Sequence, residues 1–260
     1  MKAFNYIITL CILFFNCALY AQLDLDFETD RGLYDTPFDL ELTVDDPSAT
    51  IRYTTNGTAP TPTTGTIYTT TIPINSTSTI RAIAYTNTES TKVLTHTYIF
   101  PNDIISQSYM SNHIKNNSTW SSQLEASLLS IPSISLVIPA GSEITEESRV
   151  DASVEFLFPN ENMAIQNDTE AKYFGRASLN SGKKNIRIYF DSIHGGNLEY
   201  PLLEGFDFGI PVTSEFDQID LRGDAHESFL SNSRTYVGPR FGDITTVSYT
   251  HLTLPTICSV

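Results

Sequence analysis

Cysteine is scarce in this 260-residue chain, and the placement of its three copies matters more than their number. Cys11 and Cys17 fall in a leading apolar stretch, while Cys258 stands alone near the end. Once that leader is removed, no internal disulfide and no thiolate metal site can form, so stability must come from buried apolar area. Basic residues are also few, 15 Lys and Arg against 30 Asp and Glu, for a formal net charge of -15. With no basic stripe to neutralise phosphates, nucleic-acid binding is excluded as a function class. The acidic excess is read as a soluble extracellular surface rather than as a set of calcium ligands. Beyond residue 21 no apolar run approaches the length of a membrane span. The chain also lacks a Gly-x-Ser-x-Gly elbow, a Gly-Lys-Ser/Thr phosphate loop and a His-Glu-x-x-His helix, which removes the usual warrants for hydrolase, nucleotide-loop and zinc-protease chemistry.

What is present begins with a secretory leader. Lys2 supplies the positive start, Tyr6 to Leu19 is apolar and uncharged, and Ala21 offers a small residue for cleavage, so residues 1 to 21 are expected to leave an exported protein. A lipid anchor on Cys17 is the rival, but Phe-Phe-Asn before it departs from the small residues such processing prefers. From Phe27 to Phe100, short segments alternate apolar and polar residues: Phe38, Leu40 and Leu42; Ile51 and Tyr53; Ile80, Ala82 and Ala84. Such alternation predicts strands with one buried and one wet face, hence an antiparallel sandwich of immunoglobulin or fibronectin III type over 27–100. Asn56-Gly57 supplies a turn with positive φ, and Pro60 and Pro62 force a loop before Ile67 and Tyr68. Residues 101–130 read as a linker: Trp120, Leu124 and Leu128 share a helical face, Asn117 or Ser118 caps it, and Pro132 stops it. Strand signals return at Ile134 to Ile138, Val154 to Phe158, Ile186 to Phe190 and Ile219 to Leu221, predicting a second, α+β unit.

Two segments carry a resemblance. Tyr53 to Thr61 reads Tyr-Thr-Thr-Asn-Gly-Thr-Ala-Pro-Thr, and Ile80 to Ala84 reads Ile-Arg-Ala-Ile-Ala. Both resemble the β-sandwich domain at the C-terminus of chitobiases and β-hexosaminidases, which implies a fold and an accessory role and no glycosidase activity, since such modules carry no catalytic carboxylate pair. Further on, residues 130–139, 152–161, 183–190, 198–206 and 216–229 are similar, in order, to the start of the spore-coat protein H-like (CotH) kinase family of secreted atypical kinases. That resemblance implies that 131–245 is the partial front of a kinase-like α+β domain, whose full-length parent would use ATP with Mg²⁺ or Mn²⁺. It also implies that the catalytic and metal-holding acids lie beyond Phe229. The family's glycine-rich stretch is thinned here to Gly175, Arg176 and Ser178. Residues 246–260 share nothing with the family and resemble translated adapter read-through, so the chain is expected to be an inactive N-terminal part of a longer protein.

Candidate site residues follow from that resemblance. Lys183, Lys184 and Arg176 are the nucleotide-binding candidates, each weighed against a solvated or structural role. His194 lies in a Gly-rich turn and is read as a turn residue with no ligand partner, and Asp220, Asp224, His226 and Glu227 form a polar cluster to which no metal is assigned. Tyr34, Tyr53, Tyr68, Tyr85 and Trp120 could stack on sugar rings or pack a core. The competing function is therefore a non-catalytic extracellular protein that binds polysaccharide or another protein.

Overall fold

The computed structural model describes residues 22–108, 112–158, 164–175, 179, 184–202 and 213–221. Residues 1–21, expected above to be a leader, lie outside the described residues, as do Arg176, Lys183, Asp224, His226, Glu227 and the stretch from 246. Those described are mostly β.

The first unit has nine strands: β1 (Leu25–Phe27), β2 (Gly32–Leu33), β3 (Phe38–Leu40), β4 (Leu42–Val44), β5 (Thr50–Thr54), β6 (Thr66–Ile67), β7 (Ile72–Ile74), β8 (Ser78–Tyr85) and β9 (Leu94–Ile99). A five-stranded sheet in the order β2-β9-β8-β5-β6 forms one layer. Two ribbons, β1 with β4 and β3 with β7, supply apolar side chains opposite it. Leu25, Phe27, Leu40, Leu42, Ile72 and Ile74 from the ribbons pack with Ile51, Ile80, Ala82, Ala84 and Tyr98 from the sheet. Two expectations need correcting. The pairing is not wholly antiparallel, because β2 runs parallel to β9, and the alternating run through Phe38, Leu40 and Leu42 is divided between the two ribbons. Leu40 and Leu42 still both face inward, since the break at Glu41 keeps the two-residue period.

Among its described residues the connector folds into three helices, α1 (Pro101–Ser106), α2 (Asn112–Asn116) and α3 (Ser118–Leu128). Asn117 caps α3, its side chain accepting from the backbone N–H of Thr119 and Trp120. The expected apolar face is buried only progressively, with Trp120 44% exposed and Leu128 8%. Leu128 is held in a small cluster with Ile99, Ile104 and Leu157, which ties the helices to strands on both sides.

The second unit is built on β10 (Ser133–Val137), β11 (Val150–Leu157), β12 (Ala164–Phe174), β13 (Asn185–Tyr189) and β16 (Gln218–Leu221), hydrogen-bonded in that order and antiparallel throughout. A small ribbon, β14 (Leu198–Glu199) with β15 (Glu215–Phe216), adds Leu198 and Phe216 to its core. All four anticipated strands share this sheet. Its central strand, β12, carries the polar run Ala-Ile-Gln-Asn-Asp-Thr-Glu-Ala-Lys-Tyr-Phe and has no alternation to announce it.

The larger correction concerns the supposed wet face of the first sheet. On β8, Thr79 and Arg81 are buried along with Ile80 and Ala82, and on β9 Thr95 and Thr97 are fully buried. The second sheet covers them. Thr97 donates from its backbone to Glu155 Oε1 at 3.1 Å, its hydroxyl bonds Glu155 Oε2 and lies 2.8 Å from Ser135 Oγ. Gly57, with φ of +75°, fits against the second unit so closely that a Cβ there would lie 2.2 Å from the Ile138 carbonyl oxygen. Ala140 in turn donates to the Asn56 carbonyl at 3.0 Å. The Asn56-Gly57 turn is thus a docking point as well as a chain reversal, a use that only glycine permits.

Candidate functional site

Of the residues suggested by sequence, Lys184 is exposed at the entry to β13, its Nζ 4.7 Å from the centre of the Tyr173 ring. Asp220 on β16 lies directly opposite Arg187 on β13, and the two form a bidentate pair at 2.6 and 2.7 Å. The hydrogen bond to Asp220 raises the Arg187 guanidinium above its ordinary value. A metal-bound nucleotide needs a cation and metal-holding acids converging on one point, and Lys183 and Arg176, the other two nucleotide-binding candidates, lie outside the described residues.

A cavity among the described residues lies elsewhere, between the two units. It is a cleft of about 590 Å³ walled by Arg81 and Lys92 from the first unit and Asp151, Asp168 and His194 from the second. Arg81 reaches it from the middle of β8, held by Thr95 Oγ1 at 3.1 Å, the Gly57 carbonyl at 3.0 Å and Asp168 Oδ1 at 2.8 Å. Burial pulls the Arg81 guanidinium below its ordinary value, and the carboxylates of Asp168, Glu155 and Asp151 offset part of that. Burial likewise raises the Asp168 carboxyl, against the opposing pull of Arg81. A pre-positioned ion pair beside a lysine amine and amide groups from Gln166 and Asn167 suits a ligand rich in hydrogen-bonding groups of both kinds.

With this geometry in place, the comparison with known families is informative for one part of the chain. Residues 40–98 match a family model described as Fn3 associated. The Fn3-associated stretch runs from the end of β3 to the penultimate residue of β9 and is a fibronectin-III-associated β-sandwich-type domain. It includes Gly57 and Arg81 but neither Asp168 nor His194, so the cleft has only one wall inside it. No curated protein and no solved structure matches the chain.

His194 differs from its sequence reading. It has acidic neighbours after all: Nδ1 lies 2.9 Å from Asp191 Oδ1 and Nε2 lies 3.6 Å from Asp151 Oδ1. Partial burial works against its charge, but the Asp191 hydrogen bond and the nearby Asp191, Glu170 and Asp151 charges outweigh it and raise the imidazole above its ordinary value. The same hydrogen bond lowers Asp191. Glu170, Asp191 and His194 each offer a ligand atom, all within 4.8 Å of one another. The signal in sequence was Asp191-x-x-His194 ahead of two glycines, a turn that folds residue i+3 back onto residue i. The aromatic residues divide unevenly. Tyr34, Tyr53 and Tyr68 pack against the sandwich core, the Tyr85 hydroxyl accepts from Arg52 Nε at 3.1 Å, and Trp120 stays exposed.

Proposed function

We propose that the chain is the front part of a secreted protein of the spore-coat H-like kinase family, in which a chitobiase-type sandwich is an accessory module docked on the lysine-bearing sheet. One observation carries this reading: segments 130–139, 152–161, 183–190 and 216–229, which resemble that family in order, contribute β10, β11, β13 and β16 to a single antiparallel sheet. Lys184 stands at the entry of β13, where the family places its phosphate-facing lysine. The acids that would complete phosphoryl transfer belong to a helical lobe that follows, so these residues alone give no transfer. The test is incubation with radiolabelled ATP and Mg²⁺ or Mn²⁺. We expect no labelling by this chain and labelling by the longer parent that is lost in Lys183→Ala/Lys184→Ala. A parent indifferent to both lysines would sink the reading.

A second reading, a non-catalytic extracellular protein that binds polysaccharide or protein, is favoured by the cleft. Its fixed Arg81–Asp168 pair is walled by both units. Binding of soluble glycans that is abolished by Arg81→Gln, together with an unlabelled parent, would decide for it.

A further inference from the structure

We propose that Glu170, Asp191 and His194 form a binding site for a divalent transition-metal ion of the Zn²⁺ class at the edge of the cleft between the two units. Neither functional reading above requires such a site, because the kinase-family metal belongs to the following lobe and the binding reading needs only the cleft.

The ligand atoms come from two elements. Asp191 and His194 are contributed by a single tight turn, in which the Asp191 side chain also accepts from the backbone of Ile193 at 2.9 Å and of His194 at 3.1 Å. The Asp191 carbonyl accepts from Gly196 at 2.7 Å, closing the turn and fixing the two side chains as a chelating pair. Glu170 arrives from β12, whose register places it beside Tyr189, two residues before Asp191. The three ligand atoms lie within 4.8 Å of one another, a separation that a central cation at 2.0 to 2.2 Å from each would draw in only modestly. Arg149 Nη1 holds Glu170 Oε2 at 3.0 Å, and since a carboxylate has two oxygens, that pair and a cation can be satisfied together.

A separate feature points to a ligand. Asp151, on β11, faces the other ring nitrogen of His194 at 3.6 Å. A metal-bound imidazole nearly always donates its remaining N–H to a carboxylate or carbonyl, which fixes the tautomer and raises ligand basicity. Here that outer carboxylate stands beside the ring nitrogen that Asp191 does not engage. One imidazole with two carboxylates suits Zn²⁺ better than Mg²⁺ or Ca²⁺, which prefer all-oxygen shells. Three protein ligands leave room for water or for an oxygen of a bound molecule, and His194 itself lines the cleft.

The experiment is calorimetric titration of the chelator-treated whole chain in a Cys258→Ser background, which removes the one thiol outside the leader. Zn²⁺, Mg²⁺ and Ca²⁺ are the probes. We expect one Zn²⁺ per chain, bound at least ten times more tightly than either other ion, and a loss of at least tenfold in Asp191→Asn and in Glu170→Gln. Asp151→Asn, altering a positioning residue, should weaken binding by about tenfold while leaving the stoichiometry at one. Nitrogen-15 spectra should show a zinc-dependent shift at the His194 Nδ1 position, a readout that general destabilisation would not produce. Zinc binding unchanged in His194→Ala and Asp191→Asn, a preference for Ca²⁺, or no binding at millimolar zinc would each overturn the site.

Discussion

The two faces of the first sheet are buried by opposite means. Toward the sandwich interior, Ile80, Ala82, Ala84 and Tyr98 meet apolar side chains from the ribbons. Toward the second unit, Thr79, Arg81, Thr95 and Thr97 meet Ser135, Glu155 and Asp168. Apolar burial is nondirectional and degrades gradually as area is lost. Polar burial holds only while each donor keeps its acceptor, so it is sensitive to single atoms and to protons. Glu155 shows this sensitivity. It is fully buried, and desolvation pushes its carboxyl up to about 7 despite Arg31 and the Thr97 hydrogen bonds. Arg31 Nη1 lies 3.3 Å away without making a hydrogen bond, and its charge is the largest of the influences that oppose that burial.

The sharpest way to break the comparison is at Glu155. Glu155→Ala should cost about 3–5 kcal/mol, because it strands the buried Thr97 groups and Arg31. Below pH 4.5, where the carboxyl is neutral, Glu155→Gln should cost only about 1 kcal/mol, since the amide can still accept from the Thr97 backbone and donate to its hydroxyl. Ile80→Ala on the apolar face should cost about 2–5 kcal/mol. Urea unfolding would measure all three, and equal losses for Ala and Gln at 155 would show that hydrogen bonding there is unimportant.

A somewhat smaller effect separates the faces by pH. The folded value for Glu155, about 7, exceeds its ordinary 4.5, so the stability it contributes is greatest below 4.5 and is lost as pH rises toward 7. His96 lies on the other face, its ring 3.9 Å from that of Phe27. Burial, with the Arg31 charge, pushes it down from 6.5 to about 3. Its contribution is fully present above 6.5 and is lost as pH falls toward 3. Between pH 4.5 and 6.5 the two slopes oppose. Relative to the parent chain, Glu155→Gln should gain stability across that window and His96→Phe should lose it, each by about 3 kcal/mol. Curves parallel to the parent's in both variants would contradict the assignment.

The smallest effect tests whether the connector shares in either face. Asn117→Ala should cost about 1 kcal/mol through loss of the α3 cap. Its loss should show as faster amide exchange in α3, with β8 and β9 unchanged.

These contrasts also explain what could be read from the residues alone. Alternation marked Leu40, Leu42, Ile80, Ala82 and Ala84 as core, because a solvent-covered ribbon and a buried one share the same period. It could not mark Thr97 or Arg81 as buried, since a polar face awaiting a polar partner looks the same as one awaiting water. β12 escaped for a related reason. Its Asn, Asp, Glu and Lys are disfavoured in strands as a class, yet here the pairings with β11 and β13 hold the backbone, and Asp168 is turned to use against Arg81. The helix over 118–128 was legible from its cap and apolar spacing, while Asp151 and Glu170 near His194 were not, because only the sheet register brings them there.

The hydrophilic character of the covered face bears on the order in which the chain assembles. Water can satisfy Thr79, Arg81, Thr95 and Thr97 as Glu155 and Asp168 later do, so the earlier unit can close during synthesis while the later sheet is still unmade. In that interval this face of the sheet displays threonine and arginine rather than a broad apolar surface, the hazard that most often diverts a half-made multidomain chain into aggregates.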